Sequence, residues 1–131
     1  VSMRRDGIWH PRLAGLLTAM GHHDSIVIAD AGLPVPRGVE TIDLVWSRGQ
    51  PALLPVLRAV CAELPVQEAV LAHELSDVGF LAGVRAAVGD VPTGAVAHDE
   101  LKALCADAHA VVRTGEATPY ANVILRAGVA F

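Results

Sequence analysis

The stretch Met20–Pro36, M-G-H-H-D-S-I-V-I-A-D-A-G-L-P-V-P, decides how the chain folds. Its centre, Ser25–Ala29, is a short apolar run rich in β-branched residues, which reads as a buried strand. Ahead of it, His10-Pro11 is followed by Leu13, Leu16, Leu17 and Met20 at helical spacing, with Gly21 just past the end. Behind it, Ala31–Gly38 (A-G-L-P-V-P-R-G) has the composition of a loop and nothing else. A helix feeding a buried strand is the opening of an α/β layered domain. The strand carries His22, His23 and Asp24 before it and Asp30 after it, groups that a packed core does not need.

The rest of the chain continues the alternation. Glu40–Val45 reads as a strand, and Pro51–Leu64 as a helix whose regular part begins at Pro55. Glu68–Ala72 is a strand, Asp77–Val88 a helix, Thr93–Ala97 a weak strand and Asp99–Ala106 a short helix. Ala110–Arg113 and Val123–Arg126 close the chain as strands with only a loop between them. The expected fold is therefore a single α/β domain over residues 1–131, its central sheet mostly parallel or mixed and flanked by helices. No internal repeat, low-complexity segment or linker interrupts it.

The 131 residues are 53% hydrophobic and only 18% charged. A domain this small has much surface for its volume, so the apolar excess predicts a homo-oligomer. No uncharged apolar run reaches the roughly 18 residues of a membrane span. The net charge of −4 argues against a nucleic-acid partner. Cys61 and Cys105 sit apart in apolar, helix-like segments and read as reduced core thiols. Arg4-Arg5 is followed at once by Asp6 and then Pro11, unlike an export signal, so the chain is read as mature and cytoplasmic. Val1 and Ser2, ahead of Met3, are read as additions to the natural start.

Position singles out a few polar residues. Asp30 lies at the carboxyl end of the first strand, where open α/β sheets bind ligands, although an Asx turn would explain it equally well. His98 occupies the corresponding place after the Thr93–Ala97 strand. Of the pair His22 and His23, one histidine is accounted for by bonding the last carbonyls of the preceding helix, and the other is not. His10 reads as a helix cap, His73 as a strand-end surface residue and His109 as the polar start of a strand. Tyr120 and Asn122, two apart in a segment read as extended, project to one side as a phenol and a carboxamide. With no C-x-x-C, no H-x-x-x-H and no phosphate or nucleophile motif, neither metal nor cofactor is expected. Imidazoles beside carboxylate, phenol and amide suit acid–base work near neutral pH on a small hydroxylated ligand.

G-H-x-D with D-A-G-L-P-V-P, a later H-D-E-L-K and a final R-T-G-E-x-x-P-Y-A-N-V-I-L-x-A-G-V resemble the RbsD/FucU sugar mutarotase family, in its ribose pyranase branch. The resemblance runs from Arg5 to Phe131. It implies interconversion of the pyranose and furanose forms of D-ribose by ring opening and closure, without metal or cofactor. It implies that His22 is the proton donor and that Asp30, His98, Tyr120 and Asn122 bind the sugar, whereas Asp24, Arg113 and Glu116 hold loops. It also implies a ring-shaped homo-oligomer, with a decamer the size to test, and sites at subunit contacts. The chain departs from the family's pattern in a short Leu75–Val91 segment and in its opening residues. A fucose-type mutarotase exchanging anomers and a non-catalytic sugar-binding oligomer are the alternative readings. The first of them shares G-H-x-D but not D-A-G-L-P-x-P.

Overall fold

In the computed structural model, which describes residues 4–131, helices and strands alternate through most of the chain. Val1 and Ser2 therefore lie outside the described residues. The order is α1 (Pro11–Ala19), β1 (Ser25–Ala29), β2 (Glu40–Asp43), α2 (Leu53–Glu63), β3 (Val66–Ala72), α3 (Val78–Val88) and β4 (Thr93–Val96). Helix α4 (His98–Leu104) then runs into a 3₁₀ turn, Cys105–Asp107, before β5 (Ala110–Arg113) and β6 (Val123–Ala127).

The strands form one sheet in the order β2-β5-β1-β6-β3-β4. Pairings β2–β5, β5–β1 and β3–β4 are parallel, whereas β6 runs antiparallel to both its neighbours, β1 and β3. The sheet is thus mixed. This topology decides where function can sit. Five strands leave the sheet at one edge, and the chain leaving β5 enters the antiparallel β6 from that same edge, so five connections gather there.

One face of the sheet packs against α1, α2 and α3. Ile26, Ile28, Val112, Leu71 and Leu125 meet Leu16, Leu57, Val60 and Val84 in the larger apolar cluster. The alternate residues Val27, Val111 and Ile124 face the other way, where Leu101 and Cys105 of the α4 region cover them with Leu33. Successive strand residues point to opposite faces, so both faces at the centre are apolar and β1 shows no polar alternation. Burying each such Val, Leu or Ile stabilises the fold by about 1.5–3 kcal/mol.

The helix ends follow local chemistry. His10 caps α1, its Nδ1 accepting the Leu13 amide at 3.2 Å, and Asp77 caps α3 by accepting the Phe80 amide at 2.9 Å. Helix α2 starts at Leu53, two residues earlier than the sequence suggested. Pro55 is its third residue, where a backbone N–H has no intrahelical partner to lose, so the ring is accommodated rather than setting the start. Strand β2 stops at Asp43, short of Val45, and α4 begins at His98 itself. Burial pushes the thiols of Cys61 and Cys105 up to about 11, as befits unreactive packing residues. Among the described residues no helix is long and apolar enough to cross a membrane. Trp9, Trp46, Val78, Val129 and Phe131 leave large apolar groups on the surface of the isolated chain.

Candidate functional site

An open cleft of about 710 Å³ lies at the convergent edge, lined by Asp30, Arg48, His98, Arg113, Glu116 and Tyr120 among others. Several separate parts of the topology deliver them. Asp30 follows β1, Arg48 sits in the loop after β2, His98 follows β4 and Arg113 ends β5. Glu116 and Tyr120 come from the connection that carries the chain across to β6.

Asp30 is held twice over. Its Oδ1 accepts the Gly32 amide at 3.0 Å, an Asx turn, and its Oδ2 accepts Asn122 Nδ2 at 3.3 Å. The two readings left open for this residue are therefore compatible: the turn aims the carboxylate at the cleft. Arg113 fixes the loop beyond, donating from Nε to the Ala31 carbonyl at 2.9 Å and pairing through a terminal nitrogen with Asp43 at 2.9 Å. Glu116 ties three segments together. Its Oε1 accepts the Leu53 amide at the start of α2, its Oε2 accepts the Thr118 hydroxyl at 2.8 Å, and its carbonyl accepts the Ala31 amide. Burial raises the pKa of this carboxyl, but the amide of Leu53 and the hydroxyl and amides of Thr118 and Ala117 outweigh it, and the net shift is downward.

His98 opens α4, with its backbone amide donating to both oxygens of Glu74 at 3.0 and 3.1 Å. Its ring meets that of Tyr120 edge-on, centroids 5.0 Å apart. Tyr120 is not in an extended segment. It has φ +61° in a turn, and the Asn122 amide donates back to the Tyr120 carbonyl at 3.0 Å. The phenol and the carboxamide consequently part company. Tyr120 stands 41% exposed at the cleft, while Asn122 is fully buried and grips Asp30 from behind. The expectation that they project side by side is corrected by this turn.

His22 lies at the opposite edge of the sheet. Its Nε2 is 2.7 Å from Gln67 Oε1, and its ring stacks on that of His23, centroids 3.7 Å apart. Neither ring bonds the last carbonyls of α1, where the backbone amide of Met20 takes Leu16 and Leu17 instead. Asp24 accepts the Gly21 amide at 2.7 Å and lies 3.4 Å from His109 Nε2. The structure thus gathers Asp30, His98 and Tyr120 at one end of β1, with Asn122 behind them, and leaves His22 at the other end.

Nothing local in the sequence singles out Arg48, Glu74 or Gly115. Arg48 occupies a turn that Gly49 makes possible with φ +78°. That loop is clamped to Gly115, which accepts from the Gly49 amide and donates to the Pro51 carbonyl, both at 2.8 Å. R-G-Q-P is a turn signature, but nothing in it says which strand end the turn leans on. Among the described residues no group of three or more His, Cys, Asp and Glu side chains is arranged to hold a metal ion.

A mixed sheet with this order, a cleft at its convergent edge and acid–base groups around that cleft define a class. The chain belongs to the RbsD / FucU transport protein family, whose pattern it matches over residues 3–130. It is 48% identical to the D-ribose pyranase of Geobacillus kaustophilus over 98% of this chain and 96% of that one. It is likewise 48% identical to D-ribose pyranase 1 of Rubrobacter xylanophilus, over 98% and 100%. The structure of Bacillus subtilis RbsD complexed with D-ribose superposes with a TM-score of 0.94 at 43% identity, covering 98% of this chain and 100% of that one. The fucose mutarotase of Streptococcus pneumoniae, solved with L-fucose, shares the fold at a TM-score of 0.79 and 24% identity, covering 92% and 94%.

Proposed function

We propose that this chain is a D-ribose pyranase, interconverting the six- and five-membered ring forms of the sugar. The observation that carries the reading is the near-complete correspondence, at 43% identity and a TM-score of 0.94, with a relative solved with D-ribose. A cleft rimmed by carboxylate, imidazole and phenol supports it chemically, since a pentose offers hydroxyls to all three. The fucose-type alternative rests on relatives below 25% identity, which speak for the fold alone.

The reaction requires the pyranose ring to open and close on a different hydroxyl. A proton is delivered to the departing ring oxygen while one is taken from the anomeric hydroxyl, which leaves the open-chain aldehyde. The C4 hydroxyl then attacks the carbonyl in place of the C5 hydroxyl. Each well-placed acid or base contributes on the order of 10²- to 10⁴-fold. Asp30, His98 and Tyr120 hold the sugar, Asn122 holds Asp30, and His22 supplies the proton.

That last assignment needs a second subunit. His22 precedes β1 and Asp30 follows it, and five extended residues separate them by roughly 17 Å or more, beyond the reach of one pentose. His22 of one subunit therefore faces the cleft of its neighbour in a ring-shaped homo-oligomer, a decamer being the size to test. The apolar groups left on the isolated chain support such an assembly. The chemistry calls for no metal or cofactor, and the protein works in the cytoplasm on free monosaccharide.

The test is saturation transfer by NMR on equilibrated D-ribose. Faster exchange between pyranose and furanose signals with the protein present is the expected result. Exchange only between anomers of one ring size, or binding without exchange, overturns the pyranase reading.

A further inference from the structure

His22 belongs to the exposed turn before β1, yet its ring is held on two sides. One face stacks on His23, the planes 20° from parallel, and Nε2 lies 2.7 Å from Gln67 Oε1. Gln67 is an exposed residue of β3, which lies across β6 from that turn. It stands where the strand register slips. Val66 pairs with Ala127 and Glu68 with Arg126, so β3 advances two residues against one on β6, and Gln67 is the extra residue. A bulge of this kind re-aims a side chain out of the regular alternation. The end of β6 ties down the main chain on both sides. The Ala127 carbonyl accepts the His23 amide at 2.9 Å, the Ala127 amide donates to the Asp24 carbonyl at 2.7 Å, and the Gly128 amide donates to the Pro65 carbonyl at 2.7 Å.

The two restraints do different things. Stacking fixes the plane of an imidazole, but a half-turn about its last side-chain torsion returns the ring to the same plane, because that torsion is roughly two-fold. The half-turn exchanges the places of Nδ1 and a ring C–H. The stack alone therefore admits two rings, and the bond from Nε2 to Gln67 selects one of them. With Nε2 engaged, Nδ1 is the nitrogen left open to an incoming oxygen. We propose that Gln67 is a positioning residue for the ribose reaction: it locks His22 in the orientation that offers Nδ1, rather than a C–H, to the sugar in the neighbouring subunit's cleft. The proposal rests on the reading of His22 as the proton donor and adds what sets its direction.

The β3 bulge thereby gains a purpose at a distance, since it serves a cleft at the opposite edge of the next subunit's sheet. Gln67 acts through His22 and not on the sugar. Removing its amide should slow the proton transfer while binding by Asp30, His98 and Tyr120 stays as it is. A general acid that is no longer aimed forfeits much of its effect, so the expected loss is about tenfold in kcat.

The test is a mutant cycle read by saturation transfer at a series of ribose concentrations, which separates kcat from KM. Gln67→Met keeps the length of the side chain and removes its polar end, whereas Gln67→Glu keeps an oxygen in place. Gln67→Met should lose about tenfold in kcat with KM within about twofold of wild type, and Gln67→Glu should stay within about threefold of wild type in both. Added to His22→Ala, Gln67→Met should cost nothing further, because the interaction it removes is already gone. Gln67 is exposed, so these variants should keep the fold and the assembly, which circular dichroism and light scattering check, with Gln67→Ala as the second variant. A Gln67→Met protein with wild-type kcat, one that loses the same factor with His22 present or absent, or a Gln67→Glu protein as slow as Gln67→Met overturns this inference alone. A His22→Ala protein as active as wild type overturns the proton-donor reading, and the inference with it.

Discussion

Asn122 and Asp30, 92 residues apart in sequence, are joined by two hydrogen bonds. Asn122 Oδ1 accepts the Asp30 backbone amide at 2.8 Å, and Nδ2 donates to Asp30 Oδ2 at 3.3 Å. One buried carboxamide thus satisfies the main chain at the exit of β1 and aims the carboxylate that follows. Asn122→Ala leaves a buried N–H without a partner, which costs about 1–3 kcal/mol. The melting temperature should fall, and the apparent KM for ribose should rise as Asp30 loses its orientation. A variant with unchanged affinity would show that Asn122 serves stability alone.

That pairing also shows what the sequence could and could not disclose. The apolar run Ser25–Ala29 and its turn residues were sufficient to place Asp30 at a strand's carboxyl end, because period and turn chemistry are local. The partner of Asp30 is set by β6 inserting antiparallel between β1 and β3, a long-range event with no local signature. For the same reason the local sequence suggests an extended Tyr120: P-Y-A-N contains no glycine to announce the positive φ that the structure adopts there. Pro55 misled in the opposite direction, since proline is tolerated in the first turn of a helix and so does not mark its first residue.

Gly115 is the point where the cleft's floor touches its rim. A Cβ there would lie 2.5 Å from the Gln50 amide nitrogen and 2.8 Å from the Ser47 carbonyl oxygen. Both are backbone atoms that cannot rotate away. Gly115→Ala should destabilise the protein by about 1–3 kcal/mol, the usual cost of forcing atoms into a packed site. Because the displaced loop carries Arg48, ribose exchange should fall as well. Thermal unfolding and saturation transfer on the same samples check both effects.

Glu116 makes stability depend on acid pH. Although burial raises its pKa, the hydrogen bonds from Leu53, Thr118 and Ala117 leave the folded-state value below the ordinary one. A carboxyl with a depressed folded pKa stabilises fully above its unfolded value, about 4.3 for glutamate, and loses that contribution as pH falls through the folded value. Wild type should therefore lose melting temperature on acidification below that range. Glu116→Gln should start lower at neutral pH and show a shallower acid limb. Parallel curves for the two proteins would place the acid sensitivity on other carboxyls.

The stacked pair at the far edge of the sheet separates two adjacent histidines by role. His22 holds Gln67 through Nε2, whereas His23, at φ +74°, contributes its backbone amide to the Ala127 carbonyl at 2.9 Å. His22→Ala should lose most ribose exchange, by roughly 10²-fold or more if it is the general acid, while staying folded. His23→Ala should retain the backbone bond and most of the activity. Equal losses in the two variants would mean that the proton donor within the pair is misassigned.

Whether His22 works across a subunit boundary can be read from mixed oligomers. His22→Ala subunits retain Asp30, His98 and Tyr120, and His98→Ala subunits retain His22. If each site takes His22 from one subunit and the rest from its neighbour, random mixing makes about a quarter of the contacts whole, because a ring repeats one heterologous contact. The two inactive variants, unfolded and refolded together, should then recover exchange above either parent, with a maximum near equal proportions. Light scattering on the refolded sample establishes that oligomers have formed, and differently tagged subunits establish that they are mixed. Demonstrably mixed oligomers with no recovered activity would require every catalytic group to come from one chain. The roughly 17 Å or more along β1 leaves one chain no route to that without refolding the strand itself.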